Sequence, residues 1–490
     1  MNRSTRRTFL QQASTVAGTA LLGGLTGAAR AQSTSELGFM SAVDLAAKLR
    51  NKEIGSEELA RYFISRIERY DEKLNAVVVR DFDRALDAAK EADKKLARGQ
   101  VGGPLYGLPM TIKESYDIAG LPSTWGVPEA AQNIAQADSV VVERLKNAGA
   151  LFLGKTNVPI NLGDFQSYNE IYGTTNNPWD LTRTPGGSSG GSATALAAGL
   201  TGLDSGSDIG GSIRNPSHFC GTYGHKPTLG IVPSRGQQPP GVPPGAQHPD
   251  LAVVGPMARS AEDLALAMEI VAGADILTSP GWRLELPPPR MASLRGLRVA
   301  LWADDPVAPV DSEISTRVHE IGERLDKLGA TVSDSARPGF AAQVYNDTYL
   351  GILQGIMSGP ASDLKFFDYQ VMHGRRGHFR TEWQRFFHDW DVLICPTTAT
   401  TAFVQDQSDI NARTINVNGH QQPYFQQVFW AGLATLSYLP STVFPTGLSE
   451  RGLPIGLQAM GAEFDDRTTI EFARLLAREI GGYQSPDGYV

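Results

Sequence analysis

Cysteine is scarce in this chain: two residues, Cys220 and Cys395, among 490. Each sits in an apolar or glycine-flanked context, HFCGT and VLICPTT, the setting of a buried free thiol. An oxidising compartment would permit a bridge between them, but a protein that folds in the reducing cytosol before export folds without it. Two structural thiols are therefore expected. Metal-ligand patterns are missing too, with neither H-E-x-x-H nor a Cys pair at zinc spacing, so no metal or other cofactor is expected. No long basic run is present, and 44 basic against 52 acidic residues give a formal net charge of −8, which argues against a nucleic-acid partner. Beyond residue 31 no segment is long and apolar enough to span a membrane. What is there is ordinary for a globular protein with a sizeable core: 41% hydrophobic and 20% charged residues.

The first 31 residues form a separate object. They open MNRSTRRTFLQQA, continue through a small-residue apolar stretch from Val16 to Ala29, and end Ala29-Arg30-Ala31. A charged head, a mildly apolar middle and an A-x-A end describe a cleavable secretory signal. Arg6-Arg7 within STRRTFL is similar to the twin-arginine export signal, which carries folded proteins, and the glycines and threonines of GTALLGGLTGAARA favour that route over an ordinary signal. Cleavage would remove Arg3, Arg6, Arg7 and Arg30 and no acid, taking the formal charge from −8 to −12. A soluble, periplasmic mature protein comprising residues 32–490 is expected, with no stable membrane association.

Along that remainder, strand and helix signals alternate. Ser41 and Ser56 look like N-caps, the second ahead of EELARYFISRIERYDEKL with apolar residues at helical spacing. Asp81 to Ala97 reads as an amphipathic helix, Leu108 to Ile112 as an apolar strand ending in Lys113, and Ala150 to Gly154 as a buried strand. GSATALAAGL reads as a small-residue helix and TGLDSGSDI as a strand; Ser260 opens another helix, Ser312 to Leu328 is a long one, and Val392 to Cys395 is a late buried strand. Such alternation implies an α/β fold, a central mixed sheet covered by helices on both faces. With no internal repeat and no interdomain linker, residues 32–490 are expected to be one large domain. Pro233 to Pro249, rich in Pro, Gly and Gln, reads as a surface loop near the serine motifs.

Two motifs match letter for letter and fail on context. Gly149 to Thr156 fits G-x-x-x-x-G-K-[ST], yet Ala150 to Leu153 reads as a strand rather than an open phosphate-cradling turn, and Asn157-Val158-Pro159 opens no helix. G-x-S-x-G occurs twice between Gly186 and Gly191, but the loop-like DLTRTP precedes it where a nucleophile elbow needs a strand. His388 and Asp391 would complete a Ser-His-Asp set on paper; nothing in the local sequence singles His388 out from an ordinary surface or packed histidine.

What survives is a pair of glycine-flanked serines and a lysine. Gly187-Ser188-Ser189-Gly190 and Gly210-Gly211-Ser212 place hydroxyls beside amides that glycine allows to point at a charge, the raw material of acyl transfer. A serine is a weak nucleophile and needs a base, and a lysine serves as one when burial lowers its pKa. Lys113 ends the apolar run Leu-Pro-Met-Thr-Ile, where such burial fits; by itself the position reads first as a surface lysine at a strand end.

From about residue 40 to the end, the chain closely resembles the amidase signature family of serine hydrolases. GPLYGLPMTIKESYDIAG, the glycine-serine segment at Ser188, GSDIGGSIRNPSHFCG, KPTLG, GPMARSAEDLAL and FPTGLSERGLPIGLQAMG carry the resemblance. It implies a Ser-Ser-Lys triad: Ser212 as nucleophile, Ser188 as the bridging serine after a cis peptide, Lys113 as general base. The 24 positions between Ser188 and Ser212 agree with it. The backbone amides of Ile209, Gly210, Gly211 and Ser212 are then expected to form the oxyanion hole. His225 and Ile231 depart from the family pattern without touching the triad, and Ser189 has either a supporting or a packing role.

The expected activity is hydrolysis of a C–N acyl bond in a small-molecule amide, a small carboxamide or an aryl amide. Two alternatives stand beside it: the amidotransferase component that this fold supplies to tRNA-dependent glutamine synthesis, which the export signal opposes, and a catalytically silent periplasmic binding protein, which the intact Lys113, Ser188 and Ser212 oppose. Oligomeric state is not legible.

Overall fold

Apolar strands that are buried on both faces need helices on either side of them, and the chain supplies these in alternation. The structure, a computed structural model, describes residues 34–100, 102–242 and 250–490; the expected signal segment lies outside them. Ser35–Val490 forms one unit. Three strands near its start, β1 (Val77–Arg80), β2 (Pro109–Lys113) and β3 (Leu151–Thr156), make a small sheet in the order β1-β3-β2, with β2 parallel and β1 antiparallel to β3. After a short hairpin of β4 (Tyr168–Asn169) and β5 (Gly173–Thr174) come β6 (Asp204–Asp208), β7 (Tyr223–Lys226), β8 (Val253–Ala258), β9 (Arg298–Leu301), β10 (Thr331–Ser333) and β11 (Val392–Pro396). A second hairpin, β12 (Thr414–Val417) with β13 (His420–Pro423), precedes β14 (Ser441–Leu448) and β15 (Pro454–Met460).

The main sheet has eight strands in the order β10-β9-β11-β15-β14-β7-β8-β6. Pairings around β9 are parallel and those from β11 through β15 to β6 antiparallel, so the sheet is mixed, as expected. Helix Ser312–Lys327 packs on β9, β10 and β11, while Ala261–Val271 and Asp466–Ile480 pack along β7, β8 and β14. In Ser312–Lys327, Ile314, Val318, Ile321 and Leu325 recur at helical spacing and are all buried. β2 runs beside β6, because the Thr111 amide donates to Leu203 O at 3.2 Å and to Thr201 Oγ1 at 2.9 Å. That seam joins the two sheets and brings the end of β2 to the end of β6.

Ser41 and Ser260 cap their helices as expected, accepting from the amides of Asp44 and Asp263. Ser56 does not. It is the first residue of helix Ser56–Leu74, with Gly55 at the N-cap. The orphan amides of Ser56 and Glu57 donate instead to the Asp93 carboxylate from the neighbouring helix, at 2.7 and 2.9 Å, which frees the Ser56 hydroxyl to donate to Gly107 O. A tertiary partner displaced the local cap. Of the Gly149–Thr156 segment, Leu151–Thr156 is the buried strand β3. Lys155 is fully buried, with Nζ donating to Ser123 Oγ at 2.9 Å and to Pro122 O. Gly154 is glycine because a Cβ there would collide with the Val79 carbonyl of β1. Both cysteines are free and buried, as expected.

Candidate active site

Lys113 closes β2 with no solvent exposure. Its Nζ donates to Ser188 Oγ at 2.7 Å and to Ser207 Oγ, on the adjacent β6, at 3.0 Å. Burial lowers the ammonium's pKa from 10.5 to about 7, against the opposing pull of the Asp208 and Asp204 carboxylates. Asp204 accepts from Thr111 Oγ1 at 2.6 Å, so the β2–β6 seam carries a buried carboxyl two residues behind the lysine.

Ser188 sits in the loop before helix Gly190–Ala197, after a cis Gly187–Ser188 peptide bond. Two hydrogen bonds straddle it and tie its loop to the segment that carries Ser212. The Gly187 amide donates to Asn215 Oδ1 at 3.0 Å, and the Ser189 amide donates to Ser212 O at 3.2 Å. Ser212 itself is buried in the turn between β6 and helix Arg214–Cys220. Ser189 is buried with its hydroxyl toward Ser207 O at 3.5 Å, a supporting contact for the loop.

A buried ion pair shapes that turn. Asp208 and Arg214, neither exposed, meet at 2.8 Å, and Asp208 also accepts from the amides of Gly211 at 2.9 Å and Ile213 at 3.1 Å. Burial alone would raise the Asp208 pKa; the Arg214 guanidinium overrides it and brings the carboxyl down to about 2. Arg214 is further fixed by Ala431 O, Gln458 Oε1 and Thr435 Oγ1. Gly211 adopts φ +105°, a conformation that favours glycine. Its amide is committed to Asp208, which takes it out of the expected anion-binding set. The amides of Ile209, Gly210 and Ser212 donate to no other described residue.

The family model described as Amidase matches residues 58–353 and 351–470. The indoleacetamide hydrolase of Bradyrhizobium diazoefficiens is 32% identical over 472 residues, covering 90% of this chain and 86% of its own length. A glutamyl-tRNA(Gln) amidotransferase subunit from Carboxydothermus hydrogenoformans is 31% identical over 485 residues, covering 89% of this chain and 96% of its own. Among solved structures, a bacterial aryl acylamidase of the amidase signature family superposes with a TM-score of 0.76 at 26% identity, over 90% of this chain and 96% of that one.

This chain belongs to the amidase signature family. Its relatives hydrolyse C–N amide bonds, and this amidase carries the same α/β architecture. The structure joins Lys113 and Ser188 directly and brings the Ser212 turn against the Ser188 loop. It leaves out the other serine-hydrolase set: His388 is at the surface beside Asp389, and Asp391 pairs with Arg298. Ser207 was missed as the second partner of Lys113; its place in the same GSDIGGS run, on the strand face shared with Ser205, was the available signal. The loop from Pro233 is less peripheral than its composition suggests, since Gln237 Nε2 donates to Ser115 Oγ at 3.0 Å and the Asp117 amide to Gly236 O at 2.8 Å. Among the described residues no cluster of His, Cys, Asp and Glu is placed to hold a metal, and no helix is long and apolar enough to cross a membrane.

Proposed function

We propose that this amidase hydrolyses a small-molecule carboxamide through an acyl-enzyme on Ser212, with Ser188 as proton relay and Lys113 as base. The observation that carries this reading is the 2.7 Å contact between the buried Lys113 Nζ and Ser188 Oγ, in a loop hydrogen-bonded on both sides to the Ser212 segment. A neutral Lys113 accepts the Ser188 proton while Ser188 takes that of Ser212, whose Oγ attacks the amide carbonyl. The resulting oxyanion is held by the amides of Ile209, Gly210 and Ser212, each such donor being worth about 2.7–4 kcal/mol in related chemistry. Collapse breaks the C–N bond and returns the proton through Ser188 to the leaving amine. Water then repeats the attack on the acyl-enzyme and regenerates Ser212. A fluorophosphonate probe tests the assignment: wild type is labelled and Ser212→Ala is not. Equal labelling of the variant overturns it.

A second reading, a component of a glutamyl-tRNA(Gln) amidotransferase, is favoured by the 31% identical relative of that kind. Glutamine hydrolysis that requires added partner chains and tRNA would establish it; turnover of simple amides by the chain alone would exclude that dependence. In the reading preferred here the enzyme works in the periplasm after twin-arginine export. Arg6-Arg7 and the weakly apolar stretch after it support this. Arg6→Lys with Arg7→Lys should leave the protein in the cytosol on fractionation, and unchanged export would overturn the twin-arginine route.

A further inference from the structure

The turn that carries Ser212 is faced by apolar side chains that no part of the proton relay uses. A Cβ built on Gly210 would lie 3.5 Å from Val428 Cγ2, and one on Gly211 would lie 3.2 Å from Ala431 Cβ and 3.9 Å from Phe165 Cε1. Phe165 continues the surface outward, its ring 5.9 Å from that of Phe425. Phe165 is 5% exposed and Phe425 40%, so the first is a floor and the second a rim. An aromatic ring left open to water beside a reactive centre is apolar surface available for a ligand to cover.

Phe165 is held stiffly. On one side Asp164 accepts from Arg413 Nη1 at 2.5 Å and from Tyr424 OH at 2.6 Å. On the other, Gln166 Oε1 accepts from the Asp406 amide at 2.9 Å and Gln166 Nε2 donates to Asp406 O at 2.6 Å. The Tyr424 ring packs against Phe165 at 5.9 Å, edge to face. Arg413 pairs with the Asp164 carboxylate beside Phe165, so that charge is matched within the protein. A fixed, uncharged pair of rings discriminates by covering a flat apolar group, and it has no counter-charge for a zwitterionic one.

We infer that Phe165 and Phe425 form a substrate subsite beside Ser212 that selects carboxamides bearing an uncharged aromatic group. The inference rests on Ser212 being the nucleophile as proposed above, and it names the substrate class for that site. Its probes are phenylacetamide, acetamide and glutamine, assayed with the full chain. Wild type should favour phenylacetamide in kcat/KM. Phe425→Ala should lower the phenylacetamide-to-acetamide ratio roughly tenfold, the scale of one lost apolar contact in a specificity pocket. Phe425→Tyr, which keeps the ring, should hold the ratio, and the distant exposed Leu448→Ala should not move it. Phe165→Leu provides a second reading at a buried position, with its thermal midpoint measured alongside.

An unchanged ratio in Phe425→Ala, or a wild-type preference for acetamide or glutamine, overturns the subsite. So does failure to turn over phenylacetamide by protein whose Ser212 still takes the fluorophosphonate, which leaves the hydrolase reading in place. Absence of labelling overturns that reading instead.

Discussion

Lys113 Nζ lies 2.7 Å from Ser188 Oγ, inside the protein, at the point where the end of one sheet meets the end of the other. A lysine in water keeps its proton at neutral pH. This one is stripped of solvent, and its ammonium form loses hydration that two hydroxyl partners replace only in part.

The pH profile should report that loss. With the lysine pKa near 7, kcat/KM rises as pH increases through about 7 and levels above it, because only the neutral amine is a base. Lys113→Ala should lower the plateau by roughly 10²–10⁴-fold, the usual contribution of a positioned base, with the circular dichroism spectrum retained. Normal turnover in that variant would remove Lys113 from the mechanism.

After burial and the larger pull of Asp208, Asp204 also bears on where the limb falls. Its carboxylate favours the charged lysine, so Asp204→Asn should move the acid limb of the kcat/KM profile to lower pH while the amide oxygen keeps the Thr111 contact. Burial raises the Asp204 pKa itself to about 7, so it is only partly ionised at the midpoint and the shift is modest. A limb that stays in place, or moves up, contradicts the coupling.

Asp208→Ala leaves Arg214 charged, unexposed and without its carboxylate. Breaking a buried pair from one side typically costs about 3–5 kcal/mol, measurable by urea unfolding. Labelling of Ser212 should fall too, since the same carboxylate holds the Gly211 and Ile213 amides. The carboxyl's pKa is lowered on folding, so its stabilising contribution is complete above the ordinary value of 3.8 and is lost as pH falls toward about 2.

Gly154→Ala tests the strand reading of the false phosphate loop. A Cβ there meets the Val79 carbonyl of β1, and overpacking of this kind costs about 1–3 kcal/mol. A lowered thermal midpoint is expected. An unaltered midpoint would mean that β1 and β3 are less tightly paired.

Much of the fold was legible because its strands are local apolar runs and its helices keep a 3.6-residue apolar period. Lys113, Ser188 and Ser212 stood out through the resemblance of their segments to the amidase signature family, with glycine-flanked serines and an apolar strand ending in lysine as the local signals. The Ser56 cap was not, because the groups competing for those amides include Asp93, 37 residues away. The Gly211 amide was not either: glycine next to serine says that an amide is free to turn, and only the position of Asp208 in the folded turn says where it points.

By itself, then, the sequence determined the alternation of strand and helix and the family, since each rests on patterns and motifs read within short stretches of the chain. The tertiary structure decided that Lys113 meets Ser188, how far burial lowers the lysine, where the Gly211 amide points, and that Phe165 stands beside the turn carrying Gly211. The Lys113–Ser188 and Asp164–Tyr424 contacts join residues 75 and 260 positions apart, and solvent exclusion and ring packing exist only once β2, β6 and the 424–427 turn have come together.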